Sequence, residues 1–388
     1  MENCIILTGG GTAGHVSLNI NLKNELYKHF KKVIYIGSKT GIEKTLIKQN
    51  TPYQYEEITT VKFVRNNVFK NLKIPFKLIQ AIKEAKQLIK KYKPSVVFSK
   101  GGYVGLPVVI AAKKLKIPIV CHESDFSMGL ANKTAKKYAT KICTNFKITA
   151  DKNGKKCIHT GMPLPISSLS KNDAKCKLGI DTKKPVLLIC GGSLGAVSIN
   201  NFIFDNVKTL TKDYFVIHIV GKGNLNKTLT HNGYKQIEFT NDMWTIYKAA
   251  DYAISRAGAN SIFELLSNEI LTIFIPLPKD ISRGDQIENA NYLESLGVSK
   301  TIFQSDLDIK KVQKILNFMK NNSKNIKNNI KIANFEDGTQ KIMSIILQEK
   351  NTWQHVFFII KHQFFRTHHS YPQQVKLVEQ KSFHEPQI

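Results

Sequence analysis

Short apolar runs recur along the chain and alternate with longer amphipathic stretches. In the first half these runs cover residues 4–8, 32–36, 95–99, 117–121 and 141–144. Helical stretches, such as 76–91, lie between them. Strands that are apolar throughout and separated by helices are typical of a parallel sheet covered on both faces. We therefore predict a doubly wound α/β domain.

The second half repeats this plan, with runs at 185–190, 215–220, 252–255 and 272–275 that each lead into a glycine or proline turn. The fold class is thus α/β, with two Rossmann-like domains facing across a cleft where a ligand is expected. The stiff link Met162-Pro163-Leu164-Pro165 suggests where they divide. We predict an N-terminal domain over 1–163, a C-terminal domain over 164–348 and an atypical tail over 349–388.

The end of the chain has a different composition. Residues 310–348 indicate one or two basic helices, whereas the tail is rich in aromatic residues and histidine. His355, His362, His368 and His369 could form a metal site, but a disordered or poorly packed extension fits the composition better. The apolar run at 356–360 is far too short to span a bilayer.

Charge narrows the possible partners. The chain carries 57 Lys+Arg against 29 Asp+Glu, a formal net charge of +28. Such a field favours anionic partners. Only four of the basic residues are arginine, which argues against direct base readout, and no nucleic-acid module is recognisable. The six cysteines show no paired spacing, so we expect reduced structural cysteines and a cytoplasmic location.

Glycine-rich turns follow several predicted strands. Gly9, Gly11 and Gly14 satisfy the G-x-G-x-x-G pattern of dinucleotide sites. The second strand, however, ends Ile36-Gly37-Ser38-Lys39 and lacks the acid that holds the ribose of NAD. Bare glycine amides before a helix instead indicate a diphosphate or oxyanion site. Similar glycine-rich turns lie at 100–107 and 191–196. Together, the three turns predict a cleft that binds phosphate groups.

Two further motifs carry polar chemistry. His122-Glu123-Ser124-Asp125 ends a strand of the first domain, and 256–264 begins a helix of the second. The amides of that helix start could hold a phosphate. Glu264 lies within the second turn, close enough to bond the hydroxyls of a sugar. Its alternative interpretation is a surface acid favoured by the helix dipole.

Taken together, and with 240–243 and 284–290, these motifs resemble the MurG family of bacterial peptidoglycan glycosyltransferases, in glycosyltransferase family 28. The resemblance covers about residues 1–345. It implies the GT-B fold and an inverting transfer of N-acetylglucosamine from UDP-GlcNAc to the muramyl 4-hydroxyl of lipid I, which makes lipid II. The donor would bind the C-terminal domain and the acceptor the N-terminal one.

The resemblance also implies roles for individual residues. Gly192 and Ser193 would lie near the donor diphosphate, and Thr240 would meet the uracil through its backbone. Glu264 would bind the ribose hydroxyls and Gln286 those of the GlcNAc. The amides offered to the α-phosphate would be those of Ala259, Asn260, Ser261, Ile262 and Phe263. The residues lining the site from the acceptor side would be Thr12, Ala13 and Gly14.

The chain departs from the family pattern at three places. Asp125 stands where the family often has asparagine, and Pro165 stands where the link usually carries an arginine near the nucleotide. Losing one charged contact would cost about 1.5–3 kcal/mol of donor binding, unless a nearby lysine replaces it. Ser17-Leu18-Asn19 replaces the usual Thr/Tyr-Pro, which we interpret as a packing change.

The reaction needs a base for the acceptor hydroxyl. His15 is the first candidate, because a helix N-terminus keeps an imidazole neutral; the alternative is that it caps or packs. His122, Glu123 and Asp125 are second candidates, either as the base or as acceptor-positioning groups. Leaving-group charge would be stabilised by the helix start at 256–264, so we expect no cofactor and no essential metal.

Residues 61–100 hold eleven basic groups and one acid, Glu84, interleaved with apolar residues. This pattern suits a peripheral contact with the inner leaflet, at the cytoplasmic face of the cell membrane. The alternative is an ordinary amphipathic helix. Two other functions stay open: another GT-B lipid glycosyltransferase, for example one acting on diacylglycerol, and a non-catalytic membrane-associated binding protein.

Overall fold

The chain folds into two parallel β-sheets, each covered by helices. This computed structural model describes residues 3–60, 74–165, 168–192 and 195–352. The predicted donor contact Ser193, the tail beyond 352 with its histidines, and part of the predicted membrane face, 61–73, lie outside the described residues.

The first sheet has seven parallel strands in the order β3-β2-β1-β4-β5-β6-β7. Its strands are β1 (Cys4–Thr8), β2 (Lys32–Ser38), β3 (Gln54–Ile58), β4 (Val96–Ser99), β5 (Ile119–Glu123), β6 (Lys141–Thr144) and β7 (Cys157–His159). Its helices are α1 (Gly14–Asn21), α2 (Lys23–His29), α3 (Ile42–Asn50), α4 (Ile74–Tyr92), α5 (Gly102–Lys114), α6 (Leu130–Ala135) and α7 (Lys147–Asn153). Every residue of β1, β4 and β5 is buried, as expected for central strands.

The second sheet has six parallel strands in the order β10-β9-β8-β11-β12-β13. Its strands are β8 (Val186–Cys190), β9 (Phe215–Ile219), β10 (Tyr234–Ile237), β11 (Tyr252–Ser255), β12 (Leu271–Phe274) and β13 (Lys300–Thr301). The helices after the link are α8 (Lys171–Lys177), α9 (Val197–Leu210), α10 (Met243–Ala249), α11 (Ala259–Ser267), α12 (Asp285–Ser295), α13 (Ile309–Asn321), α14 (Ser323–Ala333) and α15 (339–352). The prediction of one or two helices over 310–348 is wrong, because α13, α14 and α15 all overlap that range.

The chain passes between the sheets at two adjacent places. In the predicted link, Met162 forms a parallel bridge with Asp337, and the Leu164 amide donates to the Asp337 carboxylate at 2.9 Å. Helix α15 then lies on the first domain, where Lys350 Nζ donates to Asn3 Oδ1 at 2.7 Å. The predicted boundary assigned 339–348 to the second domain, but the contacts of α15 include the first domain.

Aromatic rings join the two domains beside this crossing. Phe126 and Phe146 of the first domain contact Tyr292 of the second, with ring centroids 4.8 and 5.7 Å apart. Phe146 also meets Phe263 edge-on at 5.4 Å. The prediction of two doubly wound, Rossmann-like domains that face across a cleft is confirmed.

Candidate active site

The first glycine loop leaves β1 and delivers His15 to the cleft. His15 Nδ1 lies 2.8 Å from the Gly10 carbonyl oxygen. A carbonyl only accepts, so Nδ1 carries the proton and Nε2 keeps its lone pair. The second glycine turn packs against the same loop, because a Cβ on Gly102 (φ +77°) would lie 2.6 Å from the Gly10 oxygen. Both turns therefore fix the imidazole.

Burial and positive charge keep His15 neutral. Desolvation, followed by the charge of Lys100, lowers the pKa of His15 to about 4, and Arg283 acts in the same direction. Lys100 follows β4 and is 2% exposed. Burial also lowers the pKa of this lysine, while Glu123 and Asp125 oppose the change. The site thus holds a neutral imidazole beside the buried Lys100.

Glu123, at the end of β5, holds the loop that follows it. One carboxylate oxygen accepts from the amides of Ser124 and Asp125 at 2.8 and 3.0 Å. The other accepts from the Gly129 amide and from Asn132 Nδ2 at 2.9 and 3.0 Å. Glu123 is 4% exposed, and four donors occupy its two oxygens. This arrangement orients the loop and leaves little capacity to take a substrate proton.

His122 is fully buried on the preceding position of β5. Its Nε2 lies 3.3 Å from the Gly161 carbonyl oxygen in the link. Desolvation and then Lys100 hold the pKa of His122 well below its ordinary value. The structure therefore places this residue in the core beneath the cleft.

Asp125 reaches across the cleft to the second domain. Asn289 Nδ2 donates to Asp125 Oδ1 at 3.3 Å, and Arg283 Nη2 lies 3.5 Å from Oδ2. The backbone amide of Phe126 donates to Asn289 Oδ1 at 2.9 Å. Burial, with Glu123 and Asp285 nearby, raises the pKa of Asp125 to about 6. Asn289 lies within the 284–290 motif, but no pattern in the sequence predicts its bridging role.

The start of α11 faces the first glycine loop. Asn260 Nδ2 donates to the Gly14 carbonyl oxygen at 3.2 Å and to Ser17 Oγ at 2.7 Å. The predicted α-phosphate amides belong to this helix start, but the Ile262 amide already donates to the Gly258 carbonyl oxygen at 3.0 Å. The Phe263 amide lies one position deeper and its side chain is 1% exposed. The amides before Ile262 are therefore better placed for a ligand.

Other predicted donor contacts surround this helix. The Leu277 amide donates to Gln286 Oε1 at 3.1 Å, and Gln286 Nε2 lies 4.0 Å from the position of a Cβ on Gly258. Thr240 Oγ accepts from the Asp242 amide at 3.0 Å. Gly192 is exposed on the third glycine loop.

Glu264 is partly exposed in the second turn of α11. Tyr247 Oη donates to Glu264 Oε2 at 2.8 Å. Desolvation raises the pKa of Glu264 to about 7, and the tyrosine bond opposes that rise. None of the sequence motifs includes Tyr247. The only sequence signal is that a buried tyrosine hydroxyl usually requires a partner.

Arg256 precedes α11, but its guanidinium points away from the helix start that faces the cleft. Its guanidinium donates to the carbonyl oxygens of Ile275 and Pro276 at 3.1 and 3.2 Å. It also donates to Ser198 Oγ at 2.9 Å and to Gln304 Oε1 at 2.7 Å. Arg256 therefore ties the base of α11 to the start of α9 and to the segment after β13.

Two Rossmann-like domains with glycine loops and a helix start around one cleft define a GT-B glycosyltransferase. The model of the glycosyltransferase family 28 N-terminal domain matches residues 5–144, and that of the family 28 C-terminal domain matches 186–344. The chain belongs to the MurG family, within glycosyltransferase family 28, as its motifs predicted.

Curated relatives agree over nearly their whole length. A Clostridium tetani (strain Massachusetts / E88) protein is 43% identical over 351 residues, 89% of this chain and 98% of its own. It is named UDP-N-acetylglucosamine--N-acetylmuramyl-(pentapeptide) pyrophosphoryl-undecaprenol N-acetylglucosamine transferase. A protein with the same name from Clostridium botulinum (strain Alaska E43 / Type E3) is 44% identical over 352 residues, 89% of this chain and 97% of its own.

Solved structures show the same fold. The crystal structure of Acinetobacter baumannii MurG matches with a TM-score of 0.70 and 25% identity, over 89% of this chain and 99% of that chain. A UDP-GlcNAc 2-epimerase from Neisseria meningitidis bound to UDP-GlcNAc matches with a TM-score of 0.60 at 14% identity, over 90% of this chain and 100% of that chain. At that identity the second match concerns the fold alone.

Proposed function

We propose that this enzyme transfers N-acetylglucosamine from UDP-GlcNAc to the muramyl 4-hydroxyl of lipid I and thereby makes lipid II. The names of the curated relatives support these substrates. The observation that carries the proposal is the meeting of Asn260 with Gly14 across the cleft at 3.2 Å. The donor-side helix start and the acceptor-side glycine loop thus lie one side chain apart.

His15 is the proposed general base, and its Nε2 lone pair is available for the acceptor proton. Its pKa of about 4 is too low for a strong base. Two diphosphate-bearing substrates would bring negative charge and offset Lys100 and Arg283, which are the cations that lower this pKa. An imidazole moves toward its ordinary value when such cations are neutralised. Substrate binding therefore offsets the part of the shift that these cations cause, while the larger part, which comes from desolvation, remains.

The remaining acids take positioning roles in this proposal. The same incoming negative charge would raise the pKa of Asp125 above its value of about 6, so that this carboxyl becomes protonated and can orient the acceptor hydroxyl by a hydrogen bond. Glu123 holds the loop that carries Asp125. The amides of Ala259, Asn260 and Ser261 would stabilise the charge that develops on the departing UDP.

The test is the release of UDP from UDP-GlcNAc in the presence of a short-chain lipid I analogue. UDP-glucose and UDP-galactose are the matched donors, and diacylglycerol is the competing acceptor. We expect turnover only with UDP-GlcNAc and the lipid I analogue. Turnover with diacylglycerol alone would favour the other class of lipid glycosyltransferase, and no turnover with any pair would contradict the enzymatic proposal.

The acceptor carries a lipid, and we propose that α4 contacts the inner leaflet at the cytoplasmic face of the membrane. Phe76 and Ile79 are 76% and 66% exposed on this helix, with Lys77 between them, whereas Ala81 and Ala85 face the core. Apolar groups among lysines suit an anionic lipid surface. In the described ranges, no helix is both long and apolar enough to cross a bilayer.

Co-sedimentation with vesicles containing anionic phospholipid tests this contact. The double variant Phe76→Ser, Ile79→Ser should lose most of the bound fraction, and added salt should weaken binding of the unchanged protein. Ile332→Ser is the matched control, because Ile332 is 75% exposed on α14 of the second domain. Equal binding of all variants would reject α4 as the membrane contact.

A further inference from the structure

A buried tyrosine, Tyr247, donates a hydrogen bond to Glu264, the acid predicted to bind the ribose. Tyr247 lies on α10 and is 4% exposed. Helix α10 is fixed at its start by Asp242, whose carboxylate accepts from the Thr245 amide at 3.2 Å. Burial raises the pKa of Tyr247 well above its ordinary value, so the phenol stays protonated and donates its hydrogen bond to Glu264. This donor has no role in the chemistry described above.

The hydrogen bond is made to one carboxylate oxygen only. Tyr247 Oη donates to Glu264 Oε2 at 2.8 Å, and within the described residues no donor is bonded to Oε1. The other contacts of this residue, from Ser267 and Asn268, go to its backbone oxygen. Because Glu264 is partly exposed, a ligand can reach the open oxygen. The tyrosine thus fixes the plane of a carboxylate whose second oxygen is available.

We propose that Tyr247 is a positioning residue for ribose recognition, holding the Glu264 carboxylate so that it accepts hydrogen bonds from the vicinal hydroxyls of the donor nucleotide. This inference rests on the proposed function, in which Glu264 binds the ribose. A carboxylate free to rotate would lose side-chain entropy when it binds a diol, whereas a fixed one has already lost it. Tyr247 should therefore sharpen the preference for ribonucleotides over 2′-deoxynucleotides.

The same geometry makes donor binding depend on pH. The charged and titratable groups facing Glu264 are Tyr247 from α10 and Cys190 from the end of β8. The ionised carboxylate accepts from both ribose hydroxyls, and the protonated form accepts less well. Since desolvation raises the pKa of Glu264 to about 7, the ratio of UDP affinity to 2′-deoxy-UDP affinity should fall as pH decreases through that region. Removing the tyrosine hydroxyl should move this midpoint to higher pH.

Calorimetric titration of UDP and 2′-deoxy-UDP into the full-length protein tests the inference. We expect the unchanged protein to prefer UDP by about tenfold or more, as for a charge-assisted hydrogen bond. Tyr247→Phe should reduce that ratio to about threefold or less, raise the pH midpoint of the ratio, and raise the KM for the donor more than it changes kcat. The matched control is Tyr234→Phe, which removes a hydroxyl bonded to His218 in the same domain and should keep both the ratio and the midpoint.

A second variant keeps the test decisive if Tyr247→Phe folds poorly. Glu264→Gln should abolish the pH dependence of the UDP to 2′-deoxy-UDP affinity ratio, in which the ionisation of the shared diphosphate cancels, and persistence of that dependence would overturn the inference. An unchanged ratio and midpoint in a folded Tyr247→Phe protein would also overturn it, while the proposed function would stand. Equal affinity of the unchanged protein for both nucleotides would remove Glu264 from ribose recognition. Failure to bind UDP at all would contradict the proposed function itself.

Discussion

Replacing Glu123 by glutamine separates a structural role from a catalytic one. Four donors point at the two carboxylate oxygens, two at each. A glutamine puts an NH₂ group where one oxygen stood, so two of the four bonds are lost and donors face donors. At about 1.5–3 kcal/mol for each charge-assisted bond, the loss is about 3–6 kcal/mol. At about 2–4 °C per kcal/mol for a domain of this size, that lowers Tm by about 6–24 °C.

Thermal unfolding followed by circular dichroism measures this loss, and kcat measured well below the lowered Tm follows the activity. We expect Glu123→Gln to lose stability and activity together, because the loop carrying Asp125 is no longer fixed. Glu336→Gln, at an exposed carboxylate, is the control and should change neither. A Glu123→Gln protein with unchanged Tm and an abolished kcat would refute this reasoning and restore Glu123 as a candidate base.

Three further substitutions test the rest of the site. His15→Ala should lower kcat by about 10²–10⁴-fold while donor affinity stays within about twofold, and an unchanged kcat would remove His15 as the base. Asn289→Ala should cost about 1–3 kcal/mol of unfolding free energy in denaturant titrations, since it leaves the partly buried amide of Phe126 without its acceptor. Glu43→Gln should raise the KM for the acceptor more than the KM for the donor, because Glu43 accepts from the amide of Gly11, in the acceptor-side glycine loop, at 3.2 Å. Equal effects on both KM values would argue against a role of Glu43 in that loop.

The strands that the sequence predicted and those it missed differ in their position within the sheets. Central strands such as Cys4–Thr8 and Tyr252–Ser255 are covered on both faces, so their apolar runs are continuous. The missed strands are Gln54–Ile58, Cys157–His159, Tyr234–Ile237 and Lys300–Thr301, which form the four sheet edges. Edge strands are short or carry polar residues, as Gln54–Ile58 does with two glutamates, and this pattern is also that of a loop.

The residues of the site also fall into two groups: those that local sequence patterns predict and those that only long-range packing brings together. Glycine spacing indicated the loops around His15, because backbone conformation and close approach restrict residue type locally. The bridges from Asn289 to Asp125 and from Tyr247 to Glu264 join residues 164 and 17 positions apart. No periodicity or turn pattern encodes such pairs, since they arise only when the helices and sheets pack together. Whether Glu123 acts as an acid or anchors the loop after β5 also depends on contacts that form only on packing.

The first domain can be completed only after helix α15, which follows the second domain in the sequence, has been synthesised. Residues Ile342 and Ile346 of this helix are fully buried, and Lys350 lies over the ring of Phe30 at 4.6 Å. Residues 3–165 emerge from the ribosome long before α15 is synthesised. The surface of the nascent first domain that α15 covers therefore stays exposed until the second domain has also emerged. Expressing the first domain alone would therefore require α15 to be supplied with it, as a grafted segment or a separate peptide.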